Sequence, residues 1–471
     1  MRTSVAPIIA PLVARHAGDA AFYWQQRDTS VHSPLVGLPQ LMEFDRLLDA
    51  HLDGLRVAED AGWDCALEQL RRWQRAPQVF VCTLLALEHS EPGPQLSEVW
   101  SVVQTNPSRM LRGMISALAW GPAETSLGWC CHWLAEPRTP APLVVAAWRA
   151  LALRQSSPAD EQPIGMEQSA WSVVSTALPL AIASSNEHVR AAACRWLAAV
   201  GQPHSLLPLF SDPTPRVRAE AAIGWIAAAS RSDSQVNGHP SHSMPQFTPA
   251  QRLDMQTQAA SVLWLVTHAM VQELASSSGL PRSQLQHRLM RWLCYLGSAA
   301  PIGHAGIAKL LELLPPRLSL WFVLHHGDGR YLPTVEHYMA DPEVGRLAGW
   351  VWSSLTGIDL QNEGLTLAPR GPAQAPRGTD IRDPGLPEPN ISAIAQIGVA
   401  LQPGVVSLGG QQVNESVLAS ALWHAPQALR WIANQRLISA GARSTAIRSK
   451  ARTQHSVLAR MHAQGQKIPA S

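Results

Sequence analysis

The sequence predicts an all-α fold, an α-solenoid of helical hairpins stacked one on the next. Three observations predict it. First, 18 of the 28 aromatic residues are tryptophan, and they keep a count. Trp196 to Trp225, Trp292 to Trp321 and Trp321 to Trp350 are each 29 residues apart, while Trp120 to Trp148 and Trp264 to Trp292 are 28. One bulky side chain recurring at the length of two short helices is what stacked units require, because each copy presents the same pocket to its neighbour. Second, segments repeat. EHVRAAACRWL at 187–197 aligns with RVRAEAAIGWI at 216–226, Val189 with Val217 and Arg190 with Arg218 at an offset of 28 and Trp196 with Trp225 at 29. Looser copies stand at 287–292, 317–321 and 343–350. Third, no stretch sustains the period-two alternation of β-branched residues that strands need.

Residues 1–80 read as a helical N-terminal cap. Leu41, Phe44, Leu48, Leu52 and Leu55 recur at spacings of three and four, with Asp45, Arg46, Asp49 and Asp53 on the other face, and the helix should end between Gly54 and Gly62. A second stripe follows at Trp63, Leu67, Leu70 and Trp73. Residues 81–360 form the predicted solenoid of roughly six to nine helical pairs. Asp212-Pro213 and Asp341-Pro342 each place a capping oxygen before a proline whose missing N–H is harmless in a first turn. Asn186 can cap before Val189, and Gly201 or Gly297 can end a helix. The segments 168–186 and 255–272 read as buried helices, since they carry too many polar residues to span a bilayer. Residues 230–251, rich in Ser, Pro and His, read as an insertion, and 361–390, with six prolines and four glycines, as a linker. Residues 391–471 return to helical periodicity as a basic C-terminal extension that caps the solenoid or packs elsewhere.

Composition excludes whole classes. With 471 residues, 46% hydrophobic and 37 Lys+Arg against 35 Asp+Glu, the chain is neither disordered nor strongly charged. Charge is uneven, however. After Glu415 no acidic residue follows, and Arg430, Arg436, Arg443, Arg448, Lys450, Arg452, Arg460 and Lys467 give eight cations. Aromatic residues stop at Trp431, so platforms for stacking bases are missing there. This reads as a solvated tail, and nucleic acid is not the expected partner. The six cysteines form no CxxC pair, which points to free buried thiols and a cytoplasmic setting. The opening apolar run is interrupted by Pro7 and Pro11 and is not expected to act as a secretion signal, and no membrane association is expected.

At the recurring DP-x3-VR-A-x-AA pattern the chain resembles a family. Residues 185–228 and 341–357 resemble HEAT-like repeats, including those of phycobilin lyases and deoxyhypusine hydroxylase. FYWQQRDTSVHSPLVGLPQLMEFDRLLDAHLDGLRVAEDAGW (22–63) and GDGRYLPTVEHYMADPEVGRLAGWVWSSLTGIDL (327–360) are similar to a proteobacterial HEAT-repeat family often encoded near type VI secretion genes. The resemblance implies a secretion accessory, effector adaptor or immunity protein whose partner is a secretion component, an effector or a toxin. It also raises a lyase or metalloenzyme as a lesser alternative.

The residues themselves carry no catalytic motif. GxSxG, GxGxxG and the phosphate-binding GxxxxGK[ST] are missing from the sequence. The resemblance to deoxyhypusine hydroxylase implies iron held by His-Glu pairs, but here the order is reversed at Glu187-His188 and Glu336-His337. His325, His326 and Asp328, beside Gly327 and Gly329, are the best metal candidates, yet neighbouring side chains on a helix diverge. No metal, cofactor or catalytic residue is therefore expected, and the chain reads as a non-enzymatic protein-binding scaffold. Candidate partner-binding residues are Arg190, Arg218 and Arg346, which recur at one register position, and Trp129, Trp133 and Trp352, drawn from two close tryptophan pairs that cannot all be interior. Trp196, Trp225, Trp292, Trp321, Trp350, Val189 and Val217 are the expected repeat core.

Overall fold

The computed structural model describes residues 8–155, 167–228, 248–368, 383–440 and 447–463. The described residues are mostly helical and fall into two compact units. The first comprises residues up to 208 together with 447–463, and the second comprises 209–440. The division falls inside the segment expected to be one continuous solenoid.

In the first unit, α1 (Ala10–Thr29), α2 (Leu38–Val57) and α3 (Glu59–Trp73) pack together ahead of α4 (Ala76–Glu88), α5 (Pro92–Val103), α6 (Pro107–Trp120), α7 (Ala123–Ala135), α8 (Ala141–Gln155), α9 (Gln168–Ile182) and α10 (Glu187–Ala199). Prolines occupy the first turns of α1, α2, α4, α5 and α6, where no intrahelical partner for an N–H exists. α4, α6, α8 and α10 form one row, each packed on the next, while α7 and α9 pack on each other and on α8 and α10. Between the rows lie Phe80, Met114, Trp148 and Trp196, all under 3% exposed. Gly113 sets the spacing of α6 on α4: a Cβ there would collide with the Ala76 carbonyl and stand 2.8 Å from Phe80 N.

One expectation is met here and one changes. α2 runs through Gly54, which lies against the His16 ring, and stops at Val57, within the expected range, before Glu59 takes φ 48°. Asp45 is not on a solvent face. It is 6% exposed, accepts from Arg27 Nε at 2.7 Å and from the backbone N–H of Ala451 at 2.6 Å. Ala451 opens α21 (Ala451–Ala463), so a carboxylate from the cap closes the first turn of the C-terminal helix. Arg27 also donates to the Ser449 carbonyl and lies 4.3 Å over the Trp120 ring, which Lys450 approaches at 5.4 Å.

In the second unit, α11 (Pro215–Ala228), α12 (Pro249–Ser276), α13 (Gly279–Ala299), α14 (Gly306–Leu313), α15 (Pro316–His326), α16 (Leu332–Tyr338) and α17 (Gly345–Thr356) follow in order. α11 packs on α12, α12 on α13, α13 on α15 and α15 on α17. Then come α18 (Ile391–Ile397), a hairpin of β1 (Ser407–Leu408) and β2 (Gln411–Gln412), α19 (Glu415–His424) and α20 (Gln427–Ser439), which packs on α11 and α13. Trp225, Trp292 and Trp352 are the largest fully buried side chains here.

Local punctuation recurs with a small shift. Asp212 and Asp341 accept from the N–H two residues on, at 2.8 Å each, as Asn186 does at 2.9 Å. The helices after the two aspartates begin at Pro215 and Gly345, so each Asp-Pro starts the turn that leads into its helix. Gly201, with φ 73°, ends α10 as expected. Gly297 does not end a helix; it lies inside α13, where a Cβ would stand 2.9 Å from the Phe322 carbonyl oxygen of α15. α9 and α12 are helical but only one side of each is covered, with Leu180 72% and Leu265 69% exposed.

Residues 230–247 of the expected insertion lie outside the described residues, and 248–251 already begin α12 through a capping box between Thr248 and Gln251. Residues 369–382 of the expected linker lie outside them too. Its two ends are joined by hydrogen bonds from Leu367 N to Glu388 O at 2.9 Å and from Asn390 N to Leu365 O at 2.8 Å, and Leu365 and Leu386 are buried. The basic segment after Glu415 is not simply a solvated tail, since Arg430 is 1% exposed and Arg436 gives Nη2 to His325 O at 2.6 Å and His326 O at 3.0 Å. Arg443 and Lys467 lie outside the described residues.

Candidate partner-binding site

The first unit carries an open cleft of about 420 Å³. One wall is α7, from which Thr125, Gly128, Trp129 and His132 point the same way because they stand at i, i+3, i+4 and i+7. The other wall is the turn between α4 and α5, with His89 and Pro92. His89 Nδ1 accepts the Glu91 N–H at 3.1 Å and fixes that turn. The Trp129 indole passes over Gly93, where a Cβ would meet it at 3.6 Å, and is braced edge-on by His132 at 5.2 Å and by Trp133 at 6.0 Å. Gly128 leaves the middle open, with nothing within 4 Å of where its Cβ would be. An aromatic face with hydroxyl and imidazole groups around it, and no charged side chain in its lining, suits a neutral partner segment.

Of the three candidate tryptophans, Trp129 alone presents its ring at the surface. Trp133 is 7% exposed, and Trp352 is 0% exposed with its Nε1 donating to Glu336 at 3.1 Å. The candidate arginines are engaged inside the chain. Arg190 Nη1 donates to Ser184 O at 2.7 Å and Ser185 O at 3.3 Å; Arg218 Nη1 donates to Asp212 O at 2.7 Å and Pro213 O at 3.2 Å. Each thus ties its own helix to the turn before it, at the same offsets. Arg346 reaches the Leu386 carbonyl at 2.5 Å and Glu388 at 3.1 Å. Among the expected core residues, Val189, Val217, Trp196, Trp225, Trp292 and Trp321 are buried, and Trp350 is half-buried against Trp321 at 5.9 Å.

His325, His326 and Asp328 are not at an exposed turn. The two histidines close α15, and all three residues are at most 1% exposed. His326 donates Nδ1–H to Gly297 O at 3.0 Å, and burial holds its pKa below the usual histidine range despite that bond and Asp328. Asp328 accepts from Arg330 N at 3.0 Å and Gly404 N at 2.8 Å. Gly329 N and Ser407 N complete the stitching, to Val405 O at 3.3 Å and Gly327 O at 2.8 Å. These bonds give the segment a structural task. Among the described residues no group of three His, Cys, Asp or Glu is placed to hold a metal ion. Burial pushes the Cys130 and Cys294 thiols up to about 12, so they are protonated and inert at neutral pH.

Thr125, Gly128, His132 and His89 were not singled out by sequence reasoning. The i, i+3, i+4, i+7 stripe on α7 was a usable signal, but an apolar core makes the same stripe. No helix among the described residues is long and apolar enough to cross a membrane. The chain matches no family model, no curated protein and no solved structure.

Proposed function

We propose that this chain is a HEAT-like α-solenoid that works as a non-catalytic protein-binding scaffold, with the Trp129 cleft as its contact site. The observation that carries the binding reading is the partly buried indole of Trp129, packed against His132 and Trp133 at the edge of an open cleft. A preordered tryptophan costs little conformational entropy on binding, and tryptophan is one of the residue types enriched at interface hot spots. The repeat reading is supported by the row of α4, α6, α8 and α10 and by the identical bonding offsets of Arg190 and Arg218. The type VI secretion setting rests on the resemblance of residues 22–63 and 327–360 and belongs to the proposal.

The test is affinity purification of the tagged full-length protein from its native host, beside the Trp129→Ala variant, with mass spectrometry and metal analysis of both. One partner recovered stoichiometrically by the parent and reduced at least about tenfold by the variant is the expected result. Equal recovery by both removes the cleft from the reading. A parent that carries stoichiometric metal and captures nothing overturns the scaffold.

A further inference from the structure

α20 begins after a proline, as α7 and α15 do. Its N-cap is Pro426, which has no side-chain oxygen to offer to the first N–H groups of the helix, and Gln427 and Ala428 in that turn are 2% and 0% exposed. Into the same turn comes a guanidinium. Arg430 is 1% exposed, and its Nε donates to Leu422 O at 2.7 Å, which holds the head group back beside the α19–α20 junction. Its Nη1 is buried without an acceptor, and so is Gln427 Nε2, one turn away on the same face of the helix.

Comparison with other buried or partly buried guanidiniums shows what is missing. Arg154 and Arg436 also reach helix C-terminal carbonyls, but Arg154 has Leu118 O and Gly121 O, and Arg436 has His325 O and His326 O. Arg27 and Arg291 have carboxylates, Asp45 and Glu220. Among the described residues Arg430 alone keeps a buried guanidinium nitrogen with no acceptor. Burial lowers its pKa to about 10, still well above neutrality, so the group is charged, and no carboxylate among the described residues offsets it. A buried unpaired charge is strongly destabilising, and a helix N-terminus with free N–H groups attracts anions.

We propose that the first turn of α20, with Arg430 Nη1 and Gln427 Nε2, binds a small inorganic oxyanion, sulfate or phosphate. The near-complete burial favours a small ion over a carboxylate on a partner protein, which would have to bring its backbone with it. The site is separate from the Trp129 cleft and does not depend on the scaffold reading.

The full-length protein, exchanged into chloride buffer, is titrated with sodium sulfate or sodium phosphate at constant ionic strength while thermal unfolding is followed. The expected result is a saturable rise in midpoint, on the order of 5 °C at a hundredfold excess over the dissociation constant. It is lost in Arg430→Met and its affinity is weakened about tenfold in Gln427→Leu. Saturation by either ion supports the site and identifies which it prefers. A linear rise of equal slope in parent and variants is the general effect of excluded salts and overturns the proposal. Should Arg430→Met not fold, unchanged affinity in Gln427→Leu overturns it.

Discussion

Asp45 carries more of the first unit than its place in the sequence suggests. Its two oxygens hold Arg27 and the first N–H of α21, all buried. Asp45→Ala would leave the guanidinium charged and unpaired, and the expected loss is about 3 kcal/mol, read from chemical unfolding. A loss under about 1 kcal/mol would mean that Trp120 and the Ser449 carbonyl suffice for Arg27. His51 supplies a pH dependence. Its Nδ1 lies 3.0 Å from His16 Nδ1, and burial lowers its pKa more than the nearby Asp19 raises it. The folded state therefore binds fewer protons than the unfolded chain between that depressed value and about 6.5. Stability should fall as pH drops from 7.5 through that window, and His204 and His326, both lowered by burial, act with the same sign. Thermal midpoints at pH 7.5 and 5.5 check this, with a smaller drop expected in His51→Gln. Tryptophan register was legible from spacing alone. The burial of Asp45 was not, because its neighbours in sequence look like any solvated helix face.

Two glycines inside helices make opposite predictions for one substitution. In an exposed helix, Gly→Ala gains about 1 kcal/mol from propensity, and Gly128, with open space at its Cβ, should show that gain. At Gly113 a Cβ would strike the Ala76 carbonyl and crowd Phe80 N, so Gly113→Ala must push α6 away from α4. A net loss of about 2 kcal/mol is expected, measured by the same unfolding curves. A gain at both positions would mean that α6 does not approach α4 this closely. Helix starts were readable because proline and Asx residues act locally. The packing of the two described ends of 361–390 was not readable for the same reason: proline and glycine exclude a helix, but they do not exclude packing, as the buried Leu365 and Leu386 demonstrate.

At the scale of the molecule, residues 447–463 belong with the first unit, although they follow the second in the chain. A chain truncated after residue 440 should lose amide-exchange protection in α2, where α21 packs and where Asp45 loses its Ala451 partner, and at the end of α1, where Arg27 loses the Ser449 carbonyl. Protection in α11, α13 and α15 should persist. Unchanged exchange in α2 would show that α21 contributes nothing to the cap. The all-α class, the helices and their tryptophan period follow from interactions between residues three or four apart and from the chemistry of turns, and the sequence determines these by itself. Which polar groups turn inward is decided only by tertiary structure. Arg27 meets Ser449 across 422 residues, Arg436 meets His325 across 111, and the open face of Trp129 exists because a distant turn leaves room above it. No local pattern records such meetings, because the free energy that rewards them arises only when both partners leave water together.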